Sequence, residues 1–292
     1  MVAFASVAGA AACGSSSSSG GSRSIPVVRV VAAENFWGDI TRQVGGVHVD
    51  VSSIITDPSA DPHQYESDAR DAASVADAGI VVRNGLGYDD FMSKLLSSTS
   101  KRGRIVVSVQ DVLHASADAN PHLWYDVPRV PDVARAIESA LATADPNDGA
   151  VFTRNRTAFV ASLAPLERTL AAIKAKYPRV PVAYTERVPE YLVAAAGLTD
   201  ATPRGFAQAV EDGNEPSPGD GQKMDDLVTQ HRIRVLLYNA QATSPVTDHL
   251  RDLAQRSGVP VVAVTETLPR SETSYQSWQQ HQLDALLRAL GG

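Results

Sequence analysis

The 292-residue sequence contains a single cysteine, Cys13. That excludes an intrachain disulfide and any zinc or iron–sulfur site built on clustered thiolates, so a metal site in this chain must draw on His, Asp or Glu. Positive charge is also in deficit. The 26 Lys and Arg against 33 Asp and Glu leave a net charge of −7, which argues against nucleic acid as the main partner, because a phosphate backbone needs a basic surface. A neutral or cationic ligand suits this balance better. Long hydrophobic runs are missing: the uncharged stretch 1–12 would span about 18 Å as a helix, short of the roughly 30 Å needed to cross a bilayer. There is no HExxH, GxSxG or GxxxxGK[ST] motif, no second histidine cluster that would suggest a two-metal centre, and no internal repeat. No catalytic residue and no organic cofactor site is therefore assigned.

What is present is a globular composition, 43% apolar and 20% charged, at a length that suits two domains or one large one. The small, apolar residues 1–12 run directly into Cys13 and then into Gly14, Ser15–Ser19, Gly20 and Gly21. This resembles the tail of a secretory signal peptide. Ala10-Ala11-Ala12-Cys13 resembles a bacterial lipobox, in which the cysteine is lipidated and becomes the mature N-terminus. The Ser/Gly stretch behind it then reads as a flexible tether to the membrane surface.

From Ile25 onward, short β-rich runs (Val27–Ala32, Val47–Ile55, Gly79–Val82, Ile105–Val109) alternate with helical stretches (Asn35–Val44, Ser67–Ala76, Asp89–Ser97). The rhythm returns with strands at Val180–Tyr184, Val235–Tyr238 and Val259–Val264 and helices at Lys223–His231, Pro245–Ser257 and Tyr275–Leu290. Such alternation predicts parallel sheets covered by helices, here as two α/β lobes. Between them, Pro146–Tyr177 is rich in helix formers and predicts one continuous helix of about 45 Å, which Pro165 should kink or split. The Gly/Pro/Asp/Asn-dense residues 211–222 read as a loop. The expected organisation is a leader, lipobox and tether at 1–24, an N-terminal lobe at 25–145, a linking helix at 146–177 and a C-terminal lobe at 178–292.

Two motifs place a histidine directly after a proline, Asp61-Pro62-His63-Gln64-Tyr65-Glu66 and Asn120-Pro121-His122-Leu123-Trp124-Tyr125-Asp126. Proline fixes its own φ and biases the preceding residue toward extended geometry, so each histidine is carried on partly pre-set backbone. Loops at the carboxyl ends of parallel strands are where open α/β sheets bind ligands. A single loop histidine is ordinarily just solvated; the repetition within one lobe is what draws attention to these two. Glu186 and Glu266 each follow an apolar strand, where a carboxylate is costly unless something positive neutralises it. That could be an arginine, with Arg187, Arg204 and Arg270 nearby in sequence, or a divalent cation. Two imidazoles and two carboxylates with M²⁺ make a neutral set. His63, His122, Glu186 and Glu266 lie 59, 64 and 80 positions apart, so only the fold can bring them together.

The DPHQYE segment, Asn84-Gly85-Leu86-Gly87-Tyr88-Asp89, NPHLWYD, the mid-chain helix and the closing Gly258-Val259-Pro260-Val261-Val262 … Thr265-Glu266-Thr267-Leu268-Pro269 run occur in this order. In that they resemble the zinc- and manganese-binding solute-binding lipoproteins of bacterial metal ABC transporters, the ZnuA/TroA-like family, from about Pro26 to Leu290. The resemblance implies two α/β lobes joined by one long helix, with one divalent ion held in the inter-lobe cleft. His63 and His122 match the family's two N-terminal-lobe ligands. Glu186, five residues before Tyr191, matches the third, and Glu266 the fourth. Trp124, Tyr65, Tyr125 and Tyr191 flank these positions as a surrounding shell or as ordinary core, and Glu66 and Asp126 are candidate partners for an imidazole N–H.

Two carboxylates beside two imidazoles tilt the cargo toward Mn²⁺ over Zn²⁺, and the third histidine and His-rich insert associated with zinc-specific relatives are absent. The partners implied are a membrane permease with its cytoplasmic ATPase, and the membrane itself through a lipid on Cys13. The protein is expected to be monomeric and extracytoplasmic, and not an enzyme. The competing readings are a metal-dependent hydrolase, which would keep a position open for water, and a surface adhesin or structural lipoprotein stabilised by its metal.

Overall fold

The computed structural model describes residues 1–3, 27–57 and 65–291. Cys13, with the residues expected to be leader and tether, and His63 lie outside the described residues. The N-terminal lobe runs β1 (Val28–Glu34), α1 (Asn35–Gly45), β2 (Val49–Ile55), α2 (Ala69–Asp77), β3 (Ile80–Arg83), α3 (Asp90–Ser98), β4 (Ile105–Ser108), α4 (Val109–Val112) and α5 (Val130–Ala144). Next come α6 (Gly149–Ser162) and α7 (Ala164–Lys176). The second lobe comprises β5 (Pro181–Tyr184), α8 (Glu190–Ala195), β6 (Thr199–Asp200), α9 (Arg204–Glu211), α10 (Pro218–Thr229), β7 (Leu236–Asn239), α11 (Pro245–Arg256), β8 (Val261–Val264) and α12 (Tyr275–Ala289). No helix among the described residues is long and apolar enough to cross a membrane.

Each lobe holds a four-stranded, all-parallel sheet, ordered β2-β1-β3-β4 and β6-β5-β7-β8. The two-lobe α/β architecture read from the sequence is what the chain adopts. Strand side chains alternate between faces, and both faces are apolar because helices cover each. Thus Val30, Ala32, Ile80 and Val82 point into the main core while Val31, Ala33 and Val81 pack beneath α2 and α3. In the second lobe Val182, Tyr184 and Leu237 face the same main core, and Ala183 and Leu236 face the opposite one under α10 and α11. One apolar cluster therefore runs from β1 through α5, α6 and α7 to α12. The lobes cannot part without exposing it, and burial of this kind is worth about 25 cal/mol per Å².

The linking segment differs from a single uninterrupted helix. A 3-10 turn at Pro146–Asp148 precedes α6, and α6 and α7 meet at Leu163. The Leu163 amide bonds Val160 O three residues back at 3.1 Å, and Pro165 sits in the first turn of α7, so the i→i−4 ladder is interrupted between the two helices. The stretch 211–222, read as a loop, is one only from Asp212 to Ser217, because Glu211 ends α9 and α10 begins at Pro218. Ser217 caps the amide of Asp220 and Pro218 sits in the first turn of α10, where its missing N–H costs nothing. The helix therefore begins five residues before Lys223.

Candidate metal centre

Both sheets reverse their winding between the first strand of each lobe and the third, between β1 and β3 and between β5 and β7. The carboxyl ends at such switch points form a crevice. Glu186 stands two residues past β5, Asn239 ends β7, and Glu266 stands two residues past β8. His122 enters from the other lobe, just ahead of a 3-10 turn at Leu123–Tyr125. His122, Glu186 and Glu266 are 0%, 2% and 1% exposed, and one ligand atom from each lies within 4.8 Å of the others. His122 Nε2 is 3.7 Å from Glu266 Oε2. Of the four residues expected to converge, these three do; His63 lies outside the described residues.

Polar neighbours fix each of the three. Asn120 turns its amide nitrogen toward Arg187 O and Glu190 Oε2, both at 2.7 Å, so its carbonyl oxygen must face His122. That oxygen accepts from the His122 backbone N–H at 3.0 Å and lies 2.6 Å from Nδ1. A carbonyl only accepts, so Nδ1 carries a proton and Nε2 is the ring nitrogen on the side of the carboxylates. Pro121 is held in turn by Asn84, whose amide donates to Pro121 O at 2.8 Å. Asp89 ties the Asn84 turn by accepting from the Asn84 and Gly85 amides at 2.6 and 2.9 Å.

The two glutamates share one donor. Asn239 Nδ2 bonds Glu186 Oε2 at 2.5 Å and Glu266 Oε1 at 2.8 Å. Tyr88 donates its hydroxyl to Glu266 Oε2 at 3.0 Å. Burial first, then the Glu266 and Glu34 carboxylates, push the Tyr88 phenol well above its ordinary range, so it remains a neutral donor. Gln241 clamps the turn behind Glu266 by accepting from the Glu266 and Thr267 amides through Oε1. Arg187, the arginine next to Glu186 in sequence, makes two 2.7 Å bonds to Glu211. Two buried carboxylates joined by an amide donor, with an imidazole nitrogen alongside, are donor atoms of the kind that could hold a divalent cation.

Aromatic rings wall the site. Trp124 and Tyr88 stand at 5.2 and 5.7 Å from the His122 ring, and Trp124 stacks on Phe36 at 4.3 Å. Trp124 and Tyr125 are fully buried, and Tyr191 donates to Asn120 O across the lobes at 2.9 Å. Tyr65 turns to Asp71 Oδ2 at 2.9 Å. The imidazole partner of His122 is Asn120, where Asp126 had been a candidate, and Glu66 is exposed. Sequence reading gave no role to Tyr88, Asn120, Asn239 or Gln241, although Tyr88 and Asn120 stand inside the motifs it singled out. A further buried acid, Glu34, ends β1; neither of its oxygens bonds another residue among those described. Burial and the nearby Asp89 hold its carboxyl well above the usual range, only partly offset by Arg83.

Residues 30–289 match the protein-family model described as "Zinc-uptake complex component A periplasmic". Among curated proteins, the chain is similar to the manganese ABC transporter substrate-binding lipoprotein ScaA of Streptococcus gordonii, 23% identical over 306 residues and spanning 97% of this chain and 94% of that one. It is 29% identical to the manganese-binding lipoprotein MntA of Halalkalibacterium halodurans over 163 residues, which is 54% of this chain and 53% of that one. Its fold is similar to that of the periplasmic zinc-binding protein TroA of Treponema pallidum, with a TM-score of 0.77 at 20% identity, covering 90% of this chain and 99% of that one. Since the family match runs through both lobes and takes in the whole polar network around His122, the chain belongs to the ZnuA family of zinc-uptake component A proteins.

Proposed function

We propose that this protein is the substrate-binding component of a metal ABC transporter, capturing one Mn²⁺ or Zn²⁺ ion in the inter-lobe cleft and delivering it to a membrane permease. The observation that carries this reading is the convergence of His122, Glu186 and Glu266, all buried, from both lobes. His63, in the segment that follows β2 in sequence, is the fourth ligand in this reading. The ion is cargo, and four protein ligands around it leave no water to activate, so hydrolysis belongs to the transporter's ATPase and the chain itself is not an enzyme. Two carboxylates favour Mn²⁺ by hardness, while intrinsic affinity favours Zn²⁺; manganese is the cargo we assign. The binding-protein names of ScaA and TroA support the metal class.

In this reading Cys13 carries the lipid that holds a monomeric protein at the extracytoplasmic face, with residues 1–24 as leader and tether, lobes at 25–145 and 178–292, and 146–177 as the link. The apolar cluster shared by the lobes favours capture by side-chain and loop adjustment over wide opening. The test is elemental analysis of natively purified protein, joined to competition of Mn²⁺ against Zn²⁺ on wild type, Glu186→Ala and His63→Ala. Tight binding of one ion, weakened by each substitution, is expected. Affinity no better than micromolar, or binding indifferent to Glu186→Ala, would overturn the reading.

A further inference from the structure

We propose a second divalent-cation site, formed by His48, Asp145 and Asp148 at the end of the N-terminal lobe remote from the cleft. His48 closes the 3-10 turn Gly46–His48 that leads into β2, whereas the cleft side chains follow the other ends of the strands. The seven residues of β2 separate the two ends by about 20 Å. Asp145 terminates α5, and Asp148 is the last residue of the turn that opens the linking segment. Two chain segments, the turn before β2 and the turn after α5, thus deliver one imidazole and two carboxylates to one place, with a ligand atom of each within 4.8 Å of the others.

The details fit a cation better than a simple ion pair. His48 Nδ1 is 2.6 Å from Asp148 Oδ2, yet this buried nitrogen makes no hydrogen bond of acceptable geometry. The imidazole ring stands edge-on to the fully buried Phe152 of α6 at 6.1 Å, which restricts its plane. Asp145 uses Oδ1 to accept from the Asn147 amide at 3.2 Å and has its second oxygen to offer. Neither aspartate has a Lys or Arg within ion-pair distance among the described residues. One nitrogen and two carboxylate oxygens suit a zinc-like ion. Ligands held about 2.1 Å from one ion lie roughly 3 to 4 Å apart, so shifts of under about 1 Å per atom complete the set. Water fills the remaining positions, which makes the site weaker than a four-ligand cleft. A bound ion would brace the turn before β2 against the start of the linking segment.

Equilibrium dialysis of the full chain against Zn²⁺, read by elemental analysis, tests this. Wild type should take up two ions per chain. His48→Ala and Asp148→Asn should each weaken the second by at least tenfold, and a Glu186→Ala/Glu266→Ala double variant should keep it. Combining that double variant with His48→Ala should abolish both. Asp148→Asn preserves shape and decides the matter if His48→Ala unfolds. One ion in wild type that the cleft substitutions remove, or a second ion that survives both His48→Ala and Asp148→Asn, overturns the proposal. Loss of the cleft ion alone would leave this site standing, so the two sites fail separately.

Discussion

Asn120 Oδ1 and His122 Nδ1 lie 2.6 Å apart, and because the other end of the same amide is anchored to Arg187 O and Glu190 across the cleft, one residue sets both the histidine tautomer and a contact between the lobes. Partners of this kind typically contribute 10–100-fold to metal affinity. Asn120→Ala should therefore weaken Mn²⁺ binding by about 10–100-fold, while Asn120→Asp, which keeps an acceptor beside Nδ1, should recover part of the loss. Competition titration with a chromophoric chelator measures both; equal losses in the two variants would remove the tautomer argument.

Asn239 separates Glu186 from Glu266 by donating to each. Asn239→Asp replaces that donor with a third carboxylate. Hydrogen bonds to charged groups are worth about 1.5–3 kcal/mol each, so the variant should lose about 3 kcal/mol or more when metal is chelated. Added Mn²⁺ should narrow the deficit, since the cation then takes over the neutralising role. Urea unfolding with chelator and with saturating Mn²⁺ provides the comparison. An unchanged gap would mean that the carboxylates do not depend on a cation.

The lobes were readable because parallel strands buried on both faces write unbroken apolar runs such as Val30–Ala33 and Ile80–Val82, and because Gly, Pro and Asp punctuate them. That the two glutamates come together was suggested by a related feature, since a carboxylate two residues past an apolar strand is costly unless something offsets its charge. Their partners were not. Tyr88 reaches Glu266 across 178 positions and Asn239 reaches Glu186 across 53, distances over which no periodicity carries information. His48 was passed over for the same reason, since its two aspartates lie beyond β4 in a turn that the sequence presents as the start of a helix. Pro218 misled in the opposite sense, because proline breaks a helix interior yet opens a first turn without cost.

Glu34 should make stability fall with rising pH. Burial raises its carboxyl well above the value of 4.5 expected in the unfolded chain. A raised acid leaves the folded state undisturbed below that unfolded pKa; as pH climbs toward the folded pKa, the native protein must hold a proton or bury a charge, and stability is lost. Glu34→Gln removes this dependence. The variant should match wild type near pH 4.5 and melt progressively higher than wild type as pH rises toward 8, read by thermal unfolding of chelated protein. A variant that melts lower at pH 8 would show that ionised Glu34 is needed.

The break at Leu163 separates two accounts of the linking segment. If Pro165 alone imposes the break, its removal lets the residue 165 amide bond Ala161 O and joins α6 to α7. If packing of α6 against the first lobe and α7 against α12 imposes it, the break persists. Packing is the stronger constraint, because Phe159, Leu163, Leu166 and Leu170 are all buried in the shared core, and re-aiming them would expose far more than one hydrogen bond returns. Pro165→Ala should therefore change stability by less than about 1 kcal/mol, since proline in a first turn forgoes no intrahelical bond. Thr157→Pro, on the exposed interior of α6, should cost about 3 kcal/mol or more. Guanidinium unfolding of the two variants measures the contrast. A large gain from Pro165→Ala would assign the break to the proline after all.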